Sequence, residues 1–110
     1  MDECIFCRIK RGDLPATVVH EDDHCLAFHD KFPRAPTHLL VIPKKHLPDL
    51  NALGEEDKAL VSHIMLTIPS IARKQGLEAY RMATNIGAAA GQAVFHLHFH
   101  ILGGGPLSPL

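Results

Sequence analysis

No stretch of this chain is apolar for long enough to cross a bilayer, which takes roughly 20 consecutive residues. Repeats, low-complexity tracts and linkers are missing too. So is any excess of one charge: 11 basic against 12 acidic residues leave a net charge of −1. That balance excludes the basic footprint of a nucleic-acid-binding surface. The one basic cluster, Lys44-Lys45 beside His46, is small. Cysteine does not come in pairs, since Cys4, Cys7 and Cys25 are the only three. An odd count speaks against a disulfide framework, and Cys25, in an apolar run, reads as a small buried hydrophobe. The start, Met1-Asp2-Glu3, lacks the basic-then-apolar order of a secretory signal. A soluble cytoplasmic protein with no membrane or nucleic-acid partner is expected.

What is present is enough apolar material for a core, and an excess of histidine. A chain of 110 residues, 46% hydrophobic, suits one compact domain over residues 1–110 rather than two. Nine histidines are the compositional outlier.

The pattern predicts a short helix over 4–10, closed by Gly12. Residues 17–21 and 25–30 read as strands around the turn Asp22-Asp23. Pro33 and Pro36 mark a loop, and a third strand covers 38–42 until Pro43 ends it. Gly54-Glu55-Glu56-Asp57 opens a long helix with its acidic residues suitably placed. Leu60, Ile64, Ile68, Ile71 and Ala72 form its core-facing stripe, Pro69 should bend it, and Gly76 stops it. Residues 80–86 and 93–102 read as a hairpin of two further strands around a small-residue loop, 87–92. The expected class is α+β, with a five-stranded, mainly antiparallel sheet, one short N-terminal helix and one long helix.

The last of these strands is the most informative segment. Val94-Phe95-His96-Leu97-His98-Phe99-His100-Ile101-Leu102 alternates apolar residues with histidine without a break. On a strand, Phe95, Leu97, Phe99 and Ile101 enter the core, and His96, His98 and His100 share the opposite face roughly 7 Å apart. Each imidazole can serve as nucleophile, acid, base or metal ligand near neutral pH. Glycines in the preceding loop, Asn85-Ile86-Gly87 through Gly91-Gln92, can present N–H groups to an anion. Together they suggest a phosphate beside a nucleophilic imidazole.

The segment from Gly91 to His100 resembles the histidine-triad (HIT) signature of nucleotide hydrolases and transferases. The resemblance extends to Phe28-His29-Asp30, to the run from Ala35 through Pro43-Lys44-Lys45-His46, and to Arg81-Met82-Ala83-Thr84-Asn85. It covers nearly the whole chain and is closest to the Hint branch, the purine nucleoside phosphoramidases. It implies a HIT-like fold and a homodimer joined through the long helix and a sheet edge. It also implies that His98 attacks the α-phosphorus of a nucleoside 5′-phosphoramidate, giving a nucleotidyl-histidine that water then hydrolyses. In the family a main-chain carbonyl of the triad strand sets the tautomer of the nucleophile, which the resemblance implies for His98. His100 lies near the phosphoryl oxygens or leaving group as a donor, and His96 and His38 support the array. Asp30 corresponds to the carboxylate that takes the ribose hydroxyls, though alone it reads as a turn or cap residue. Asn85 corresponds to a contact near the phosphate, with Gln92 and Ala93 beside it in the phosphate loop. Ile5, Phe6, Ile9, Phe28 and Leu40 correspond to the positions that sandwich the purine; by spacing alone they are ordinary core. No metal is needed for the chemistry. Alternatives are a dinucleoside polyphosphate hydrolase or nucleotidyl transferase using the same His98 adduct, a non-catalytic nucleotide-binding adaptor, and a histidine-rich metal module.

Cys4-Ile5-Phe6-Cys7 lacks the βαβ context of a redox motif. Two thiolates with two imidazoles would make a neutral tetrahedral structural zinc site; the other reading is two thiols on a short helix without metal. The resemblance implies the ligand set Cys4, Cys7, His46 and His96. Against the family pattern, Ala93 stands where relatives often carry serine, Lys31 follows Asp30 where an apolar residue is usual, and the tail from Pro106 to Leu110 has no aromatic residue. The other histidines, His20, His24, His29 and His63, read as surface or packing residues.

Overall fold

Strands β1 (Val18–Glu21), β2 (Cys25–His29), β3 (Thr37–Pro43), β4 (Tyr80–Ala83) and β5 (Phe99–Gly103) form one sheet in the order β1-β2-β3-β5-β4. All neighbouring strands run antiparallel. Helix α1 (Ile5–Arg11) precedes the sheet, and α2 (Lys58–Lys74) joins β3 to β4. This computed structural model describes residues 4–110; the acidic start, Met1-Asp2-Glu3, lies outside the described residues. The fold is α+β, with a five-stranded antiparallel sheet, a short N-terminal helix and one long helix.

The two-residue period of the strands sorts the core into two layers. Cys25, Ala27, Leu39, Val41, Phe99 and Ile101 point to one face and pack with Ile64, Ile68, Ile71 and Ala72 of α2. The alternate residues Leu26, Phe28, Leu40 and Ile42 point to the other face and meet Phe6 of α1. Each fully buried Leu or Ile contributes about 1.5–3 kcal/mol of transfer free energy. Cys25 is fully buried, and burial pushes its thiol up to about 12, so it acts as a small apolar residue.

Helix boundaries follow local chemistry. Gly12 closes α1 in the left-handed region at φ 86°, which a Cβ would disfavour. The acidic run Glu55–Asp57 forms a 3₁₀ turn just ahead of α2, and Asp57 accepts from the Gly54 N–H at 2.9 Å. Pro69 sits inside α2, where the carbonyl four residues earlier loses its donor, yet the helix runs on to Lys74. Among the described residues no helix is long and apolar enough to cross a membrane.

Two boundaries differ from the sequence expectation. β4 ends at Ala83 rather than Ile86, and β5 begins at Phe99 rather than Ala93. The β3–β5 ladder stops at the pair Val41–Phe99. Extending it by two residues would set Leu97 opposite Pro43, which has no N–H to give. Leu97 N–H instead donates to Leu47 O at 2.6 Å. Residues 94–96 therefore bend away from the sheet, and Phe95 is half exposed rather than in the core. β4 and β5 are adjacent as expected, and the loop that joins them covers 84–98 rather than 87–92.

Candidate active site and metal centre

The bend at 94–96 turns the three histidines to different partners instead of leaving them in a row. His98 is 7% exposed, and its Nδ1 lies 2.7 Å from His96 O. A carbonyl only accepts, so Nδ1 carries the proton and Nε2 keeps its lone pair. The ring packs edge-to-face on Phe6 at 5.1 Å between centroids. Behind it, Thr84 Oγ1 donates to His98 O at 2.7 Å, tying the end of β4 to this residue.

A second chain of contacts sets the tautomer of His100. Arg34 N–H donates to His38 Nδ1 at 3.0 Å, so the proton of neutral His38 sits on Nε2. That Nε2 lies 2.9 Å from His100 Nδ1 and 3.3 Å from Asp30 Oδ2. His100 Nδ1 therefore accepts, and its own proton resides on Nε2. Burial favours the neutral form of both imidazoles: it lowers His38, and it lowers His100 to about 4 with help from His98 and His38. The His98 and His100 rings are 5.0 Å apart between centroids, closer than the spacing of alternate residues on a flat strand. One exposes a lone pair and the other an N–H donor. That pairing suits attack on, and stabilisation of, an electrophilic phosphorus.

Phe6, Phe28 and Leu40 come together in one buried cluster, with Ile9 packed against it. The Phe6 and Phe28 rings meet edge-to-face at 5.6 Å. Ile5 is half exposed and stands outside that cluster. Asp30 follows β2 directly; Oδ1 accepts from Phe32 N–H at 2.9 Å while Oδ2 faces His38. Asn85 lies against Gly91, whose φ of 101° needs a residue without Cβ. Gln92 is buried and its carboxamide is fully used by the backbone. Oε1 accepts from Gly87 N–H at 2.8 Å, and Nε2 donates to Pro48 O at 2.8 Å and Val94 O at 3.0 Å. Its side chain shapes the loop from within.

His96 is fully buried and faces the cysteines. Its Nε2 donates to Pro43 O at 2.8 Å, which leaves Nδ1 as the acceptor. Nδ1 lies 3.2 Å from Cys4 Sγ, 3.5 Å from Cys7 Sγ and 3.2 Å from His46 Nδ1. Cys7 Sγ is 3.2 Å from His46 Nδ1. Ligand–ligand edges of about 3.3–3.8 Å follow from tetrahedral zinc bonded to nitrogen and sulfur. The donor set and its second-shell carbonyl thus fit zinc. Burial, and then Cys4, raises the Cys7 thiol, so without a cation it stays protonated. A cavity of about 740 Å³, lined by Cys4, Ile5, Cys7, His46 and residues 93–95, opens on this cluster rather than on His98.

Sequence reasoning missed three groups: the hydroxyl of Thr84, the N–H of Arg34 and the carbonyl of Pro43. Thr84 lay in a quoted segment, but its partner is 14 residues away across a loop. The other two are backbone groups, which no residue-type signal reveals.

A family model described as the HIT domain matches residues 11–107. A HIT-like protein of Synechocystis sp. is 50% identical over 108 residues, 97% of this chain and 95% of that protein. A HIT family hydrolase from Clostridium thermocellum superposes with a TM-score of 0.95 at 38% identity, covering 100% of this chain and 97% of that one. A histidine triad protein from Clostridium difficile gives 0.93 at 44% identity, covering 100% and 99%. A match over nearly the whole chain, on a fold that places two imidazoles side by side in complementary tautomers, means that this chain belongs to the HIT-domain family.

Proposed function

We propose that the chain is a hydrolase of the Hint branch, a single HIT domain over residues 1–110, cleaving the P–N bond of purine nucleoside 5′-phosphoramidates. The observation that carries this reading is the bond from His98 Nδ1–H to His96 O, which puts the lone pair of the neutral ring on Nε2. Nε2 forms a bond to the α-phosphorus as the P–N bond breaks, and the departing amine takes up a proton. His100 Nε2–H, oriented through His38, donates to the phosphoryl oxygens or the leaving nitrogen. Water then attacks phosphorus, the P–His98 bond breaks, and nucleoside monophosphate leaves.

His98 and His100 are the catalytic residues; His96 and His38 position them. Asp30 takes the ribose hydroxyls, Phe6, Ile9, Phe28 and Leu40 flank the purine with Ile5 at its rim, and Asn85, Gln92 and Ala93 border the phosphate through their loop. Ala93 offers only its N–H there, one donor fewer than a serine. Zinc on Cys4, Cys7, His46 and His96 would supply a structural cross-link between α1 and the triad segment. Exposed Leu66 on α2 and half-exposed Met82 on edge strand β4 support a homodimer through that face. A cytoplasmic location completes the reading.

Brief incubation with an adenylated amine, followed by adduct mapping under non-acidic conditions, tests the mechanism. An adenylyl group is expected on His98, with His98→Ala inactive. Turnover with no adduct at His98, or full activity of His98→Ala, would overturn it.

A further inference from the structure

The β1–β2 turn carries a second convergence of imidazoles, built from none of the residues placed above. Asp22 is fixed by its own backbone: Oδ1 accepts from His24 N–H at 2.8 Å and Cys25 N–H at 2.9 Å. That leaves Oδ2 aimed outward, and two histidines meet it. His20 Nε2, from β1, lies 2.7 Å from Oδ2, and His63 Nε2, from α2, lies 2.8 Å from it. The His24 ring stands edge-on to the His63 ring at 5.2 Å between centroids. Thr67 Oγ1 donates to His63 O at 2.6 Å and also lies 3.5 Å from His63 Nε2, so it borders the same ring nitrogen. Cys25 Sγ, fully buried, lies 3.4 Å from the same Oδ2.

We propose that His20, Asp22 and His63 form a second transition-metal site, taking a borderline divalent cation such as zinc through two Nε2 atoms and one carboxylate oxygen. Two imidazoles and a carboxylate are the donor set that zinc, nickel and copper prefer over magnesium or calcium. The carboxylate is already oriented by two N–H groups, as ligands in built sites are by their outer partners. The three side chains are 22%, 26% and 36% exposed, so an ion reaches them from solvent and water completes its coordination. Binding moves the proton of each neutral ring from Nε2 to Nδ1 and replaces two hydrogen bonds to one oxygen with three metal bonds. The ion would staple the β1–β2 turn to α2. It is separate from the cysteine-containing cluster in ligands and in chemistry.

The full-length protein is titrated with zinc chloride while the imidazole ¹H–¹⁵N signals are followed. The expected result is that His20 and His63 move together at micromolar zinc, in an event separate from that of His46 and His96. His63→Gln should weaken the response of His20 by at least about tenfold while His46 and His96 respond as before. Glutamine is a good helix former, and His63 is partly exposed, so α2 is expected to persist; His20→Gln, read on His63, gives the independent test. Signals of His20 and His63 that stay unmoved at millimolar zinc would overturn the site. So would a His20 response unchanged by His63→Gln.

Discussion

Acid should destabilise this protein through His100 as pH falls below 6.5. The ring is partly buried beside two other imidazoles, and burial first, then His98 and His38, lowers it from 6.5 to about 4. A histidine so lowered binds its proton in the unfolded chain but not in the folded one throughout that window. The unfolded state therefore gains protons as pH falls, and stability is full above 6.5 and lost on the way down to about 4. The gap, at about 1.4 kcal/mol per pH unit, is worth roughly 3 kcal/mol. On a domain of this size that is a fall of very roughly 10–20 °C in Tm. The comparison that isolates it is wild type against His100→Gln, by urea unfolding at several pH values from 7.5 to 4. At neutral pH the wild type keeps its advantage; toward pH 4 that advantage shrinks by roughly 3 kcal/mol. Taking the difference cancels the distant groups and leaves His100 together with its coupling to His38 and His98. A difference constant within about 0.5 kcal/mol across the range would show that His100 is not held neutral by its surroundings.

Other perturbations probe the supports of the site. Thr84→Val removes the donor to His98 O, costing about 1 kcal/mol in stability and lowering kcat more than it raises KM; unchanged kcat would show that this tie is not needed. Gln92→Ala strips three backbone hydrogen bonds from the loop at once. It should cost about 2–4 kcal/mol, read as a lower urea midpoint, and a loss under 1 kcal/mol would mean that water replaces the carboxamide.

How much of this was legible in the sequence depends on which kind of information each feature needed. The α2 stripe was, because Ile64, Ile68, Ile71 and Ala72 recur at helical spacing and face one packed layer. So was the alternation of β3, whose odd and even residues divide between two cores. Phe95 was not, because its orientation depends on a ladder that runs out at Pro43, a partner far away in sequence. Periodicity sees its own strand and cannot see when the neighbour stops donating. The histidines were legible as a set, yet not in their arrangement. Leu97, Phe99 and Ile101 do enter the core, and Phe6 meets both His96 and His98 on the other side, but the individual partners, the cysteines for His96 and His38 for His100, are contacts with distant residues. Likewise His20 and His63 looked like separate surface residues because their meeting at Asp22 needs α2 folded against the β1–β2 turn.

The structure also joins two features that the sequence presents as separate, the cysteine pair and His98. His96 has three polar groups committed in three directions: Nδ1 toward Cys4 and Cys7, Nε2 to Pro43 O, and its carbonyl to His98 Nδ1. The helix that carries the cysteines also carries Phe6, which packs on both His96 and His98. Whatever anchors α1 therefore anchors the carbonyl that sets the tautomer of His98 and the ring that lies against it. A cation at the four ligands would rigidify both at once. Cys7→Ser, which weakens that anchorage, should lower bound zinc in elemental analysis and lower Tm. It should also lower kcat, because a loosened carbonyl no longer keeps the proton on Nδ1, and raise KM, because Phe6 moves. Retained metal with an unchanged Tm would show that the cysteines do not hold an ion. Lost metal with kcat and KM intact would show that α1 keeps its place by apolar packing alone.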